Sequence, residues 1–255
     1  MITKLYCICA VLLMVGMPMS AFAQVQEDNL VGWWRFDSAK EETGNFGDVV
    51  LHGGATIEDG QLVVANGKWA HSLEYTGPDI TELTLVSWVS LDSLAKTNGS
   101  ALTLDEVSTD QFCGIVWAER VERQWMPGSS HFRRTNDFPN VVTESETGVL
   151  HMVAITYRND NDQYEITGYR NGESMGGFRR GDLRTWEAGD SEAIWGKRHV
   201  NGLSGPGDLN AHIEESRIYN VALTADEVMS LHTGGLTPVE PQGKLATQWG
   251  ALKTK

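Results

Sequence analysis

Hydrophobic and polar positions alternate along most of the chain, which is the period of a β-strand with one buried face. In Leu83–Leu91, for example, Leu83 and Leu85 fall on one face, and Val86 and Trp88 fall on the other. The same period and the Gly-rich stretches between segments predict strands at 30–37, 49–51, 61–64, 83–91, 112–119, 150–157, 163–170, 193–196 and 212–219. Many short strands of this kind predict a sandwich or a barrel.

Two local signals are more specific. Asn171-Gly172 predicts a tight hairpin turn after the strand at 163–170, because both central residues of such a turn need a positive φ. The run from Thr224 to Glu227 matches a capping box, in which the Thr hydroxyl and the Glu carboxylate bond each other's backbone amides. We therefore expect one short helix at 224–232, ended by Gly234-Gly235.

The two ends of the chain differ from this pattern. Lys4, an apolar run at 8–17 and the triplet Ala21-Phe22-Ala23 are typical of a secretory signal peptide, although a buried N-terminal helix is the alternative. We predict cleavage near Ala23, a mature domain at 24–235 and an extended C-terminal tail at 236–255. The protein is then secreted or periplasmic, and the apolar run is too short to span a bilayer.

The composition indicates a folded protein and argues against some functions. The chain has 255 residues, 41% of them hydrophobic, and a formal charge of −14. That hydrophobic content is enough for a folded core, and the acidic balance argues against binding to nucleic acid. After removal of the leader only Cys113 remains, so no internal disulfide can form, and we expect Cys113 to be a small buried hydrophobic residue.

Four motifs occur in a familiar order. They are LVGWWRFD at 30–37, LTLVSWVSL at 83–91, LHMVAITY with ITGYRNGE at 150–173, and HIEESRIYNVALTADEV at 212–228. In order and spacing they resemble the laminin-G-like members of the concanavalin A-like lectin/glucanase superfamily. The resemblance covers about residues 30–232 and implies an all-β, two-sheet antiparallel jelly-roll sandwich whose first and last strands pair. Segment 115–135 resembles an insertion found in secreted bacterial members.

The resemblance leaves function open, since the superfamily includes lectins, adhesive modules and glycosidases. Its retaining glucanases carry an E-x-D-x-E strand, and no stretch of this chain matches it. Glu144 and Glu146 alternate but lie in a polar stretch that we interpret as a solvated loop, and Glu214 and Glu215 are adjacent and would face opposite ways. We therefore expect a non-catalytic protein, with a glycoside hydrolase as the enzymatic alternative.

Aromatic and cationic residues gather in two segments, and this favours a binding module. Planar rings stack on sugar faces, and polar side chains fix hydroxyl groups. The predicted ligand-binding residues are Trp117, Trp125, His131, Arg133, Arg134, Trp195 and Arg198, with Lys197 and His199 beside them. The expected partner is an extended anionic glycan outside the cell, or a cell-surface protein. The alternatives are that the tryptophans belong to the core, the charges form a solvated rim, and the protein is a structural or protein-interaction module without sugar binding.

The resemblance also implies a calcium ion near the first and last strands. By motif match Asp37 and Glu214 would be its ligands. The alternative is that Asp37 caps a turn and Glu214 pairs with a base such as Arg217.

Overall fold

The chain forms two packed antiparallel sheets. A computed structural model describes residues 27–200 and 205–234. Its strands are β1 (Leu30–Trp34), β2 (Val50–His52), β3 (Thr56–Glu58), β4 (Gln61–Val64), β5 (Trp69–Ser72), β6 (Leu83–Leu91), β7 (Ser100–Glu106), β8 (Phe112–Trp117), β9 (Trp125–Ser129), β10 (Leu150–Asp160), β11 (Gln163–Arg170), β12 (Glu173–Arg180), β13 (Ser191–Trp195) and β14 (Ala211–Tyr219). One α-helix, α1 (Ala225–Gly234), follows them. The predicted all-β jelly-roll sandwich is confirmed.

The larger sheet joins the two ends of the domain. Its strand order is β12-β11-β10-β6-β14-β4-β3, and β1 pairs with β14 from Leu30 opposite Tyr219 to Trp34 opposite Ser216. The expected pairing of the first and last strands is therefore confirmed. The strand predicted at 30–37 ends at Trp34, because Phe36 has a φ of 54° that breaks the extended backbone.

The smaller sheet has the order β2-β5-β13-β7-β8-β9. Segment 115–135 contributes the end of β8 and all of β9, so it belongs to this sheet and is not an appended loop. The segment also contains a short 3₁₀ turn at Ser130–Phe132.

The core between the sheets is aromatic. The rings of Trp34 and Trp195 meet edge to face with centroids 4.9 Å apart, and Trp34 also packs on Phe46 at 5.1 Å. The Trp195 indole nitrogen donates to Ser216 Oγ at 3.0 Å, so its polar atom is satisfied inside the core. Burial of such large rings is the main stabilising contribution to a sandwich of this size.

The local signals in the sequence are both realised. Asn171 and Gly172 have φ values of 51° and 80°, as the tight β11–β12 turn requires. Thr224 N–H donates to Glu227 Oε2 at 2.8 Å, and Glu227 N–H donates to Thr224 Oγ1 at 3.3 Å. Helix α1 buries Val228 and Leu231 against the outer face of the larger sheet.

Five strands have no counterpart in the prediction, namely β3, β5, β7, β9 and β12. Three of them, β5, β7 and β9, are buried on both faces along all or nearly all of their length and so lack the alternation that signals a strand. Within the described residues no helix is long and apolar enough to cross a membrane. The predicted leader at 1–23 and the tail at 236–255 lie outside those residues and stay predictions.

Candidate functional site

The three predicted tryptophans lie in the core. Trp117 and Trp195 are fully buried, and Trp125 is 2% exposed. Trp117 packs against Trp125 with ring centroids 4.9 Å apart, and its indole donates to the Ala95 carbonyl at 3.0 Å. The prediction that these rings present flat faces to a sugar is therefore wrong, and the core alternative holds.

Arg134 is also inside the protein. Its guanidinium is fully buried and contacts the Phe112 carbonyl at 3.2 Å, Gln111 Oε1 at 3.3 Å and Asp182 Oδ1 at 3.4 Å. Its Nε lies 3.3 Å from the sulfur of Cys113, which is buried as expected. Only the neighbouring Arg133 reaches the surface, 4.0 Å from Asp182. The predicted surface of two adjacent arginines is therefore wrong.

His131 and Arg198 do come together, in a cleft on the outer side of the smaller sheet. The cleft has a volume of about 280 Å³ and is open to solvent on one side. Its walls come from the β7–β8 turn, the ends of β8 and β9, and the segment after β13. The lining residues are Asp110, Phe112, Glu119, Ser129, Ser130, His131, Phe132, Arg198, His199 and Pro206. We refer to it as the β8 cleft.

The charged side chains of the β8 cleft face each other in pairs. Arg198 Nη1 lies 2.5 Å from Glu119 Oε1, and His131 Nε2 lies 2.9 Å from Asp110 Oδ2. Burial raises the pKa of the Glu119 carboxyl, against the opposing effect of Arg198. The third predicted cation of this segment, Lys197, pairs with Asp208 at 2.7 Å. Each of these cations thus has a carboxylate partner.

A buried aspartate orients the histidine at the inner wall. His199 Nδ1 lies 2.8 Å from Oδ1 of the fully buried Asp105, and its ring is stacked against Phe112 with centroids 5.6 Å apart. Burial raises the pKa of Asp105 to about 6, and the hydrogen bond to Asp105 raises the pKa of His199. The two groups therefore hold a proton more tightly than they would in water, and the imidazole is fixed in one orientation.

The rim of the cleft has an unusual backbone. His131 and Phe132 are consecutive residues with φ values of 51° and 54°, a region that side chains other than glycine rarely occupy. Phe132 is 37% exposed, although it is a large hydrophobic residue. Strained backbone of this kind concentrates at ligand-binding sites.

Three buried carboxylates lie where the sequence analysis did not place them. Asp105 on β7 lies directly opposite Glu192 on β13, and both are buried. Glu144 is 3% exposed and accepts two hydrogen bonds from Arg170, at 2.7 and 2.8 Å, so its assignment to a solvated loop is wrong. Asp105 and Glu192 meet across neighbouring strands and leave no spacing signal within one segment, which is why the sequence pattern does not reveal that pair.

The residues proposed for calcium have protein partners. Asp37 lies 3.3 Å from the Arg35 guanidinium, and Glu214 accepts a hydrogen bond from Gln61 Nε2 at 2.9 Å. Arg217 pairs with Glu215 and not with Glu214, which corrects the alternative assignment. Across residues 27–200 and 205–234 no group of three or more His, Cys, Asp or Glu side chains is placed to hold a metal ion. These contacts do not form the set of six to eight oxygens that calcium takes, and the calcium ion stays a prediction.

Several solved structures share this fold. Domain 4 of AbnA, a GH43 extracellular arabinanase from Geobacillus stearothermophilus, in complex with arabinotriose, is 20% identical with a TM-score of 0.57; the match covers 79% of this chain and 97% of that one. Trypanosoma rangeli sialidase in complex with sialic acid is 19% identical with a TM-score of 0.54, and the match covers 82% and 33%. The receptor binding domain of botulinum neurotoxin C/D mosaic serotype is 11% identical with a TM-score of 0.57, and the match covers 82% and 52%.

The chain thus spans about a third of the sialidase chain and about half of the toxin domain, and at these identities the likeness concerns the fold. No curated protein sequence matches the chain. A laminin-G family model described as the concanavalin A-like lectin/glucanases superfamily matches residues 76–229, more than half of the chain. The strand order, the paired first and last strands and this match agree, and the chain belongs to the concanavalin A-like lectin/glucanase superfamily.

Proposed function

We propose that the chain is an exported, non-catalytic carbohydrate-binding module that holds a neutral oligosaccharide in the β8 cleft. One observation carries the proposal. The cleft places an exposed aromatic ring, Phe132, beside the Arg198–Glu119 ion pair and the His131–Asp110 contact in an open volume of about 280 Å³. Export rests on the leader-like residues 1–23, which remain a sequence-based prediction.

The polar groups suit hydroxyl recognition. A carboxylate such as Glu119 accepts hydrogen bonds from sugar hydroxyls, and the guanidinium of Arg198 donates to them, so one ion pair offers both functions. Because each partner already holds the other in place, a bound sugar orders few side chains, and this lowers the entropic cost of binding. Phe132, whose ring centroid lies 5.8 Å from the Arg120 guanidinium carbon, adds a planar apolar surface for the C–H face of a pyranose or furanose ring.

The charge balance favours a neutral ligand over the anionic one that the sequence suggests. Arg198 faces Glu119, His131 faces Asp110, and His199 faces Asp105. A sulfated or carboxylated glycan would have to compete with these carboxylates on a protein of net charge −14. A neutral glycan meets no such repulsion.

The placement of the carboxylates supports a non-catalytic role. Glycosidases need two carboxyl groups that reach the scissile bond from either side. Asp105 and Glu192 face each other across two strands, but they are 0% and 4% exposed and engage His199 and His71. Their carboxylates are therefore occupied by the protein itself.

Calorimetric titration with a panel of oligosaccharides tests the proposal. The panel contains arabinotriose, glucan and mannan oligomers, and uronic-acid and sulfated oligomers, each at low and high salt. We expect a neutral oligomer to bind with little salt dependence, since no net ion pairing is formed. Phe132→Ala should weaken that binding, whereas Leu183→Ala, which removes an equally exposed side chain away from the cleft, should not.

Three results would contradict the proposal. Binding restricted to acidic glycans and lost at high salt would favour an anion site instead. Binding of no glycan at all would favour a structural or protein-interaction module. Reducing ends released from any oligomer by the purified protein would favour a glycoside hydrolase.

A further inference from the structure

Two histidines face each other at the opposite edge of the smaller sheet from the β8 cleft. His52 on β2 and His71 on β5 have their Nε2 atoms 3.1 Å apart. The His71 Nδ1 lies 2.8 Å from Oε2 of Glu192 on β13. The His52 ring lies parallel to the indole of Trp69, with centroids 4.1 Å apart. Three neighbouring strands thus hold two imidazoles with one nitrogen of each directed at the other.

We propose that His52 and His71 form a binding site for one late first-row divalent metal ion, Cu²⁺ or Zn²⁺, separate from the glycan cleft. The separation of the two nitrogens supports this. Metal–imidazole bonds of about 2.0–2.1 Å place two ligand nitrogens about 2.9 Å apart at a right angle and about 3.3 Å apart at a tetrahedral angle. The 3.1 Å observed here lies between these two values, so little movement is needed to accept the ion.

The surroundings of His71 match those of a metal-bound histidine. Such a histidine usually donates its second N–H to a carboxylate, which fixes the tautomer and leaves the other nitrogen free to coordinate. Glu192, which is 4% exposed, has this position relative to His71. The Nε2 atoms of His71 and His52 lie at hydrogen-bond distance from each other, and a metal ion bound to both nitrogens would replace that hydrogen bond.

The chemistry of the donors selects the metal. Imidazole suits Cu²⁺ and Zn²⁺, whereas Ca²⁺ and Mg²⁺ require oxygen ligands. Within 27–200 and 205–234 no third His, Cys, Asp or Glu side chain is placed to join them as a ligand, so this pair supplies two ligands and water completes the coordination. His52 is partly exposed, which leaves the ion accessible to solvent and to exchange. Cu²⁺ should bind more tightly than Zn²⁺, following the general order of divalent affinities.

Calorimetric titration of the metal-free protein with CuCl₂ and with ZnCl₂ tests the site. We expect one ion per chain, and an electron paramagnetic resonance spectrum of the Cu²⁺ form that shows two equatorial imidazole nitrogens. His52→Phe keeps a ring stacked on Trp69 but removes both nitrogens, and it should abolish this binding. Glu192→Gln should weaken the binding about tenfold, as expected for loss of an orienting carboxylate.

A matched variant distinguishes metal binding at His52 and His71 from metal binding at other histidines. His212→Ala removes a half-exposed histidine that contacts Gln61 and Asp92, and it should leave metal affinity unchanged. The thermal midpoint of His52→Phe in EDTA shows that this variant is folded. The site is overturned if no ion binds at one per chain, or if folded His52→Phe binds as the unsubstituted protein does. Glycan binding by His52→Phe and metal binding by Phe132→Ala should both persist, so the outcome is independent of the proposed glycan function.

Discussion

The adjacent residues Arg133 and Arg134 differ in burial, and we expect them to differ in their contribution to stability. Arg134 is fully buried and donates to Gln111 and to a carbonyl, whereas the side chain of Arg133 is about half exposed. Arg134→Ala leaves those acceptors unpaired and opens a cavity, so we expect it to lower the free energy of unfolding by about 3 kcal/mol. Arg133→Ala should change it by less than about 0.5 kcal/mol. Urea unfolding measures both, and equal effects would place Arg134 outside the core.

His199 provides a second test at the residue scale. Its hydrogen bond to Asp105 raises its pKa above 6.5, so we expect the imidazole resonances of His199 to titrate above that value in NMR spectra. Asp105→Asn should bring the midpoint down, whereas Asp182→Asn, a change away from the cleft, should not. A His199 midpoint unaffected by Asp105→Asn would contradict the pairing.

The same pair contributes a definite sign to the pH dependence of stability. The pKa of Asp105 rises from 3.8 to about 6, and that of His199 rises from 6.5, so the folded state binds protons more tightly than the unfolded one. The contribution of His199 is fully present below pH 6.5 and is lost as the pH rises through its folded value. The contribution of Asp105 to stability is fully present below pH 3.8 and is lost as the pH rises from 3.8 to about 6. The wild type should therefore lose more stability between pH 6 and 8 than Asp105→Asn does.

The sequence identifies the candidate residues of the cleft only in part, and β8 shows why. All six residues of Phe112–Trp117 are buried, so neither face of this strand is polar and the alternation does not show which face points to the core. Trp117 therefore remains ambiguous until the second sheet is in place. His131 and Arg198 reach the cleft, yet their partners Asp110 and Glu119 carry no motif in the sequence.

At the scale of elements, the β11–β12 hairpin depends on a glycine for two reasons. Gly172 has a φ of 80°, and a Cβ there would lie 2.7 Å from the sulfur of Met229 on helix α1. Gly148 has a φ of 72° but no neighbour within 4 Å of its Cβ position. Gly148→Ala should cost about 1 kcal/mol of stability for the left-handed backbone alone, and Gly172→Ala should cost more because Met229 must also move. If urea unfolding shows that the two variants lose the same free energy of unfolding, the Met229 side chain moves away at no measurable cost.

The elements that the sequence predicts well are strands with one solvent-exposed face and segments with a local turn or capping motif. The β11–β12 turn and the capping box of α1 need only contacts within a few residues, and both are realised. In contrast, β5 has the burial pattern of a central strand although it is four residues long, because β2 and β13 flank it. Its neighbours come from distant parts of the chain, so its burial depends on the tertiary fold.

For the whole molecule, the smaller sheet has two chemically distinct ends on its outer side. The β8 cleft lies toward β8 and β9, and the His52–His71 pair lies toward β2 and β5. Between them, Glu192 bonds His71 and lies opposite Asp105, which bonds His199. A line of polar side chains, His71, Glu192, Asp105 and His199, therefore joins the two ends on the outer face of this sheet.

The limits of the domain follow from the closure of the larger sheet. Strand β1 pairs with β14, and Trp34 at the end of β1 is fully buried against Trp195, so both ends of the domain support one core. We expect a chain of residues 24–235 to unfold cooperatively at the same temperature as residues 24–255, when followed by circular dichroism. A chain that begins at residue 36 lacks β1 and the Trp34 ring, and it should show no cooperative transition, because it loses a strand and leaves a cavity in the core. A transition at the same temperature for the chain that begins at residue 36 would show that β1 is an accessory strand and that the fold closes without it.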